Sequence, residues 1–430
     1  MNELNEVLDS KVKENKNSNF LMLMLGRIIS EIGSSMFKFA LSLYVLDITG
    51  SSVAFSTVLG FSLISAVIVN VFGGIIADKY NRKKILIVTD ILCGIIILTF
   101  IPIFNLSPNK MLWLSIYVII MGALQALFEL TISAVIPNLF IEEDVGKANS
   151  ALQSVYALLS VFGAVLGSIA YSNFSMNTIF LIDASSFIIA GMLSILLKYI
   201  RNEDNMQTSS EASYIKHLSE IFEYLKENKI ISFFLAFTSI ISFVFSSMVL
   251  LVLPYIGYSL LKVSAIQLSL MQAAWFAGTI IGAIFVSTHK APDKLASKFF
   301  FFLMIQAVLL TFWIFPVFTS TLTLGKWIIC VGYMLLLLLL GVFNTLQSIP
   351  VVTYFQNNVP ENIRARFFGI FNTAILLACP LGMFMYGALL NKVHWASLPV
   401  VSGCCMFIVG LIFRNSKYFK MYLSTIKSDE

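Results

Sequence analysis

Long uninterrupted apolar runs restrict this chain more than any other feature of its sequence. Twelve such runs follow one another along the 430 residues. They lie near residues 20–46, 53–77, 85–105, 111–137, 150–172, 177–199, 230–256, 264–287, 299–318, 327–349, 367–390 and 395–413. A helix needs about 20 apolar residues to cross the ~30 Å hydrocarbon core of a bilayer, where every backbone polar group must be paired internally. The runs therefore predict an all-α integral membrane protein with twelve transmembrane helices.

The composition excludes the other broad classes of protein. Hydrophobic residues make up 58% of the chain and charged residues 12%, whereas soluble domains have about 45–50% and about 25%. A soluble or disordered chain cannot accommodate this apolar surplus. A membrane β-barrel is excluded because its strands alternate apolar and polar residues.

The residues that enzymes and metal sites need are scarce. All five cysteines fall inside apolar runs, and the three histidines, His217, His289 and His394, are far apart in sequence. The chain has no GxxxxGK[ST] loop that could hold the phosphates of a nucleotide. We therefore expect no enzymatic activity, no metal, no bound cofactor and no nucleic acid partner.

The basic residues of the loops predict the topology. If the N-terminus is cytoplasmic, 22 Lys and Arg residues lie on the cytoplasmic side and 4 on the other, as the positive-inside rule requires. The one long connection, 200–229, divides the chain, and its second part has the spacing of an amphipathic helix. The predicted domains are a cytoplasmic tail 1–19, a six-helix half 20–199, the linker 200–229, a second six-helix half 230–413 and a cytoplasmic tail 414–430.

The two halves resemble each other weakly at an offset of 215–219 residues. Gly122 corresponds to Gly341, Lys147 to Arg366, and the Asp78–Lys79 pair to Asp293–Lys294. Repeated halves are typical of secondary transporters, which bind their substrate between the halves near the bilayer midplane. The repeat therefore predicts a transporter.

The loop between the second and third runs carries a recognisable motif. It resembles the signature loop of the major facilitator superfamily, G-x-x-x-D-R-x-G-R-[RK], and the matching positions are Gly74, Asp78, Lys79, Arg82 and Lys83. The resemblance implies that this loop gates the inner side of the transporter. Lys79 replaces an Arg, and Asn81 replaces a Gly at which we expect a left-handed turn, a conformation that Asn tolerates.

Further segments are similar to the macrolide-efflux-type facilitators. They are Ile29 to Ser35, Leu46 to Ser51, Ile182 to Phe187, Val359 to Arg366, and Pro380 to Gly382 with Gly387. The resemblance implies a bacterial plasma-membrane antiporter that uses the proton gradient to export hydrophobic or amphiphilic drugs, and thus confers antibiotic resistance. Its partners would be protons, a small-molecule substrate and the lipid bilayer, and we expect a monomer.

Two positions depart from the drug antiporters. Their fifth helix carries G-P-x-x-G-G, whereas this chain has Gly163 and Gly167 without the proline. These small residues still predict close helix contact. The Arg that many drug antiporters carry in the fourth helix is missing, and Glu129 is the charged residue of that helix here.

Ionisable residues within the spans are the candidates for proton coupling. They are Arg27, Glu31, Lys38, Asp90, Glu129 and Asp183, all in the first half. Each costs at least about 2.5–3.5 kcal/mol in lipid and commonly marks a transport pathway or a proton relay. We interpret Glu31 and Glu129 as proton carriers, and Asp90 and Asp183 as members of static ion pairs.

Depth arithmetic predicts which of these residues meet. Arg27, Glu31 and Lys38 share one helix face. At a rise of 1.5 Å per residue, Arg27 and Glu129 lie about 7–9 Å to the cytoplasmic side of the midpoints of their spans. The sequence therefore predicts that Arg27 pairs with Glu129 or Glu31, and that Lys38 pairs with Asp183 at a similar depth on the outer side.

Three other functions remain open at the level of sequence. They are an uptake symporter for a small neutral metabolite, a dedicated self-protection exporter of one antimicrobial compound, and a channel or receptor without coupled transport. The second differs from drug efflux only in the breadth of its substrates. A channel would show a conductance that does not saturate.

The charge asymmetry makes the orientation testable. We expect a fluorescent protein fused after Glu430 to fluoresce, and alkaline phosphatase fused at the same point to be inactive, because both termini face the cytoplasm. Alkaline phosphatase fused after Lys392, in a loop on the predicted outer side, should be active. The reverse pattern would contradict the topology.

Overall fold

The computed structural model describes a helical protein. It describes residues 2–139, 142–198, 220–221, 223–288, 297–319 and 325–428, and no β-strand occurs within these ranges. The predicted linker residues 201–219 and the Asp293–Lys294 match lie outside the described residues.

Thirteen helices account for nearly all of the described residues. In the first half they are α1 Asn2–Thr49, α2 Ser52–Lys79, α3 Arg82–Leu106, α4 Lys110–Leu139, α5 Glu142–Asn173 and α6 Met176–Ile195. In the second half they are α7 Lys229–Leu260, α8 Ala265–Thr288, α9 Phe299–Phe318, α10 Lys326–Asn358, α11 Glu361–Leu390, α12 Ser397–Arg414 and α13 Lys417–Ser428. The second part of α7, from Ser242 onward, is largely π-helical.

The predicted spans are confirmed in number and order. Eleven of the described helices are long and apolar enough to cross a membrane, and the shorter apolar segment Val161–Asn173 of α5 supplies the twelfth. The whole of α5, Glu142–Asn173, is 32 residues long. Because α1 begins at Asn2, the predicted tail 1–19 continues the first spanning helix instead of forming a separate segment.

The last residues of the chain form a helix that the sequence analysis treats only as a tail. On α13, Phe419 and Tyr422 are buried. The Phe419 ring lies 4.6 Å from Phe300, and the Tyr422 ring lies 4.8 Å from Phe234. These aromatic contacts attach α13 to the ends of α7 and α9.

The chain divides into two compact units. The first contains Met1–Val45 and Phe61–Ala212, and the second contains Leu46–Gly60 and Ser213–Glu430. Within the second unit, Ser52 Oγ donates hydrogen bonds to Gly387 O at 2.8 Å and to Asn391 Oδ1 at 2.9 Å. The Tyr258 hydroxyl donates to Asp47 Oδ2 at 2.9 Å. The segment Leu46–Gly60 is therefore held by polar contacts to α7 and α11.

Glycines permit the closest helix contacts, and they do so at equivalent places in the two units. In the first unit, a Cβ at Gly122 of α4 would lie 2.4 Å from Ser65 Oγ of α2. In the second unit, a Cβ at Gly341 of α10 would lie 2.4 Å from Trp275 O of α8. The correspondence of Gly122 and Gly341 therefore reflects one packing arrangement, in which the fourth helix of each half contacts the second.

The α8–α10 contact gives a testable prediction about stability. A methyl group at Gly278 would lie 2.1 Å from the backbone oxygen of Leu338, which cannot move without displacing α10. We expect Gly278→Ala to destabilise the detergent-solubilised protein by about 1–3 kcal/mol, as overpacking does. Thermal unfolding followed by size-exclusion chromatography measures the loss.

Gly369→Ala is the matched control for this experiment. Gly369 also lies in a helix, but a Cβ there would meet no atom within 4 Å. It should leave the melting temperature unchanged or raise it, because Ala favours helix over Gly. Equal effects of the two substitutions would contradict the close-packing interpretation.

Candidate functional site

The side chain of Arg27 is the centre of the candidate site. It lies on α1 in the first unit and is 6% exposed. Its Nη2 donates to Glu129 Oε1 of α4 at 2.6 Å and to Glu31 Oε2, one turn along α1, at 3.3 Å. The predicted pairing of Arg27 is therefore confirmed, and it involves both carboxylates at once.

Tyr156, which is not among the candidates predicted from the sequence, joins Arg27, Glu31 and Glu129 in one group, the Arg27 group. The hydroxyl of Tyr156, on α5, accepts a hydrogen bond from Arg27 Nη2 and donates one to Glu129 Oε2 at 2.7 Å. The Arg27 guanidinium carbon also lies 4.7 Å from the centre of the Tyr156 ring and 4.8 Å from that of Phe128. These distances are typical of cation–π contacts.

Small residues bring α5 close enough for this contact. A Cβ at Gly163 would lie 2.2 Å from Ser35 Cβ, and one at Gly167 would lie 2.6 Å from Met36 O. The predicted close contact of this glycine pair is confirmed, and its partner is α1. The residue numbers of contacting pairs differ by about 130 at both ends of this contact, in Arg27–Tyr156 and in Met36–Gly167. The helices α1 and α5 therefore run parallel, with Tyr156 beside Arg27.

A signal for Tyr156 was available in the sequence. By the same rise per residue, Tyr156 lies about 7–8 Å from the midpoint of the predicted fifth span, towards the same end of the bundle as Glu129. A search restricted to charged residues excludes a phenol. Tyr156 is an uncharged hydrogen-bonding side chain at the depth of Arg27, and residues of this kind are the signal that identifies it.

The group forms part of the wall of a cavity in the first unit. The cavity has a volume of about 480 Å³, within the range of about 300–1,000 Å³ typical of small-molecule sites. Its charged lining residues are Arg27, Glu31, Lys38, Asp90 and Glu129. The structure thus brings five of the six predicted ionisable residues to one cavity, with three carboxylates and two cations.

The sixth residue, Asp183, lies outside this cavity. It is 1% exposed, and its Oδ1 has no hydrogen-bond partner among the described residues. A Cβ at Gly33 would lie 3.1 Å from Asp183 Oδ1, which places the carboxyl against α1. No salt bridge joins Asp183 to Lys38, which is exposed and lines the cavity, although the Lys38 charge still acts electrostatically on the Asp183 carboxyl.

The signature loop is described only in part. The surroundings of Gly74 and the side chains of Asp78 and Lys79 lie outside what the structure describes. The expectation of a left-handed turn at Asn81 is wrong: its φ is −66°, and its side chain accepts a hydrogen bond from the backbone of Lys84. Asn81 therefore serves as the N-cap of α3, a position that favours Asn.

Arg82 and Lys83, two basic positions of the signature motif, begin α3. Lys83 Nζ donates to the backbone oxygen of Ile195 at 2.7 Å. A cation at this last carbonyl of α6 is favourable, since the C-terminal end of a helix carries partial negative charge. The contact joins α3 and α6 within the first unit.

Comparison with known proteins identifies the family. A family model described as the Major Facilitator Superfamily matches residues 23–383, most of the chain. The chain belongs to the Major Facilitator Superfamily. It is therefore a transporter of this fold, a multi-pass protein of the cell membrane, and not a member of an enzyme family.

Relatives and solved structures agree with the family assignment. Macrolide efflux protein A of Streptococcus pyogenes is 22% identical over 401 residues, which cover 91% of this chain and 94% of the relative. The crystal structure of nucleoside transporter NupG matches with a TM-score of 0.70 at 13% identity, covering 93% and 99% of the two chains. That of a D-xylose-proton symporter gives 0.68 at 16% identity, covering 92% and 96%. The two structures show the major facilitator fold.

Because Arg27 is buried and Lys38 is exposed, we expect the loss of these two cavity cations to affect stability unequally. We expect Arg27→Gln to destabilise this facilitator by about 3–5 kcal/mol, because it leaves Glu31 and Glu129 facing each other without their cation. Adding Glu129→Gln should recover part of the loss. Thermal melting of the detergent-solubilised protein measures both effects.

Lys38→Gln provides the control. It removes an exposed cation from the same helix and should change stability by no more than about 0.5 kcal/mol. If Arg27→Gln and Lys38→Gln were equally tolerated, the carboxylates would not depend on Arg27, and the interpretation of the group would fail.

Proposed function

We propose that the protein exports hydrophobic or amphiphilic small molecules by proton antiport, acting as a monomer without a bound cofactor. The observation that carries the proposal is the Arg27 group on the cavity wall. One guanidinium is shared by two carboxylates, and one of them, Glu129, is 47% exposed, which gives a proton access to it.

Glu129 is the proton carrier in this proposal. When Glu129 is ionised, its attraction to Arg27 at 2.6 Å holds α4 against α1. A proton on Glu129 removes that charge and weakens the link, while Glu31 remains to balance Arg27. Uptake and release of the proton can therefore change the contact between two helices of the cavity wall.

The similarity to macrolide efflux protein A supports export as the direction and amphiphilic compounds as the substrate class. The cavity walls suit such compounds, because the aromatic rings of Phe128 and Tyr156 lie beside the charged residues. A pocket of about 480 Å³ that combines apolar and charged surface can accommodate an amphiphilic molecule.

The proposal predicts that Glu129→Gln abolishes proton-coupled export. The experiment measures accumulation of a radiolabelled macrolide and of a fluorescent lipophilic cation in cells, with and without a protonophore. Cells expressing the wild type should accumulate less of at least one compound than cells without the protein. Both the protonophore and Glu129→Gln should remove the difference, at equal amounts of protein in the membrane.

Glu223→Gln is the matched control, since Glu223 is an exposed carboxylate that precedes α7. It should export like the wild type. Normal export by Glu129→Gln would show that this carboxylate does not couple transport to protons. Higher accumulation in wild-type cells would support uptake, and no difference with either compound would remove the drug-efflux proposal.

A further inference from the structure

The Tyr156 hydroxyl contacts both charged partners of the candidate site. It accepts a hydrogen bond from Arg27 and donates to both oxygens of Glu129, at 2.7 Å and 3.0 Å. Its ring holds Arg27 by a separate cation–π contact. One side chain on α5 therefore interacts with the cation of α1 and with the carboxylate of α4.

We propose that Tyr156 is a positioning residue, which holds Arg27 and Glu129 together and thereby sets the pH dependence of export. The inference rests on the proposed function, because it concerns the proton carrier of that proposal. Tyr156 need not contact the substrate to act in this way.

The sign of the effect follows from the donor and acceptor roles. A phenol O–H that donates to a carboxylate stabilises the ionised form of that carboxylate. Arg27 of α1 acts in the same direction, whereas Glu31 of α1 and Asp90 of α3 oppose it. Among the side chains of α2 that the structure describes, those lining the cavity include Ser62 and Asn70 but no charged residue. Replacing Tyr156 with Phe therefore removes the hydrogen bonds that its hydroxyl donates to the Glu129 carboxylate.

Tyr156 also has a role once Glu129 is protonated. A buried cation is strongly destabilising when its partner is removed. Arg27 would then keep Glu31, the phenol oxygen and the two aromatic rings as partners. The tyrosine thus lets Glu129 change its charge without leaving the guanidinium poorly paired.

Infrared spectroscopy of the purified protein tests the inference without any substrate. A protonated carboxyl group has a C=O stretching band. The band of this kind that is present in the wild type and missing from the spectrum of Glu129→Gln reports the protonated form of Glu129. We expect Tyr156→Phe, which keeps the ring and removes the hydroxyl, to move the titration midpoint of this band upward by about 1–2 pH units. This is the size expected for one lost hydrogen bond to a charged group.

A matched control and a second variant keep the test informative. Tyr44→Phe removes a hydroxyl from a half-buried tyrosine of α1 whose ring packs on Phe104 at 5.5 Å, and it should leave the midpoint unchanged. Replacing Tyr156 with 3-fluorotyrosine gives a more acidic phenol, which donates a stronger hydrogen bond. The midpoint should then move downward, a change of opposite sign that loss of folding cannot imitate.

Transport assays separate this inference from the proposed function. If the protein exports by proton antiport, the pH profile of export should shift with Tyr156→Phe in the same direction as the infrared band. A band midpoint that neither Tyr156 replacement moves would overturn the inference. A shifted band in a protein that does not exchange protons for substrate would overturn the proposed function alone.

Discussion

The pairing of one buried guanidinium governs the arrangement of the first unit. Arg27 is 6% exposed inside an apolar helical bundle, where an uncompensated cation would be very costly. Its partners come from three helices, with Glu31 on α1, Glu129 on α4 and Tyr156 on α5. The group can form only if these helices meet at one depth. The glycines that press α5 against α1 are therefore part of the same constraint, since they bring Tyr156 to Arg27.

The same physical logic appears in the packing of helices in each unit. Lipid provides no hydrophobic driving force between helices, so close contact depends on small residues. Gly122 of α4 and Gly341 of α10 each admit the second helix of their own half. The six ionisable residues predicted within the spans, in contrast, all lie in the first unit. The glycine contacts are repeated in the two units, whereas the predicted ionisable residues are not. The weak sequence repeat therefore predicts how the helices pack and does not predict the site.

Particular residues show where prediction from the sequence succeeds and fails. Arg27 and Glu129 were predictable because each is charged and their depths follow from the rise of a helix. Lys38 and Asp183 also share a depth, yet they do not pair, because depth says nothing about the direction in which each helix faces its neighbours. Asn81 was expected in a left-handed turn, but a local hydrogen bond makes it the cap of α3. Tyr156 was not predicted as a site residue, because the candidates were chosen among charged side chains.

The sequence by itself determined the membrane location, the number and order of the spans, the likeness of the two halves and the list of ionisable residues within the spans. These properties follow from local hydrophobicity and residue type, which need no knowledge of neighbouring helices. Only the tertiary structure decided that α5 packs beside α1, that Tyr156 joins Arg27 to Glu129, and that Asp183 lies outside the cavity. Such contacts depend on how each helix is rotated and on which glycines allow close approach, and both are settled only when the helices pack together.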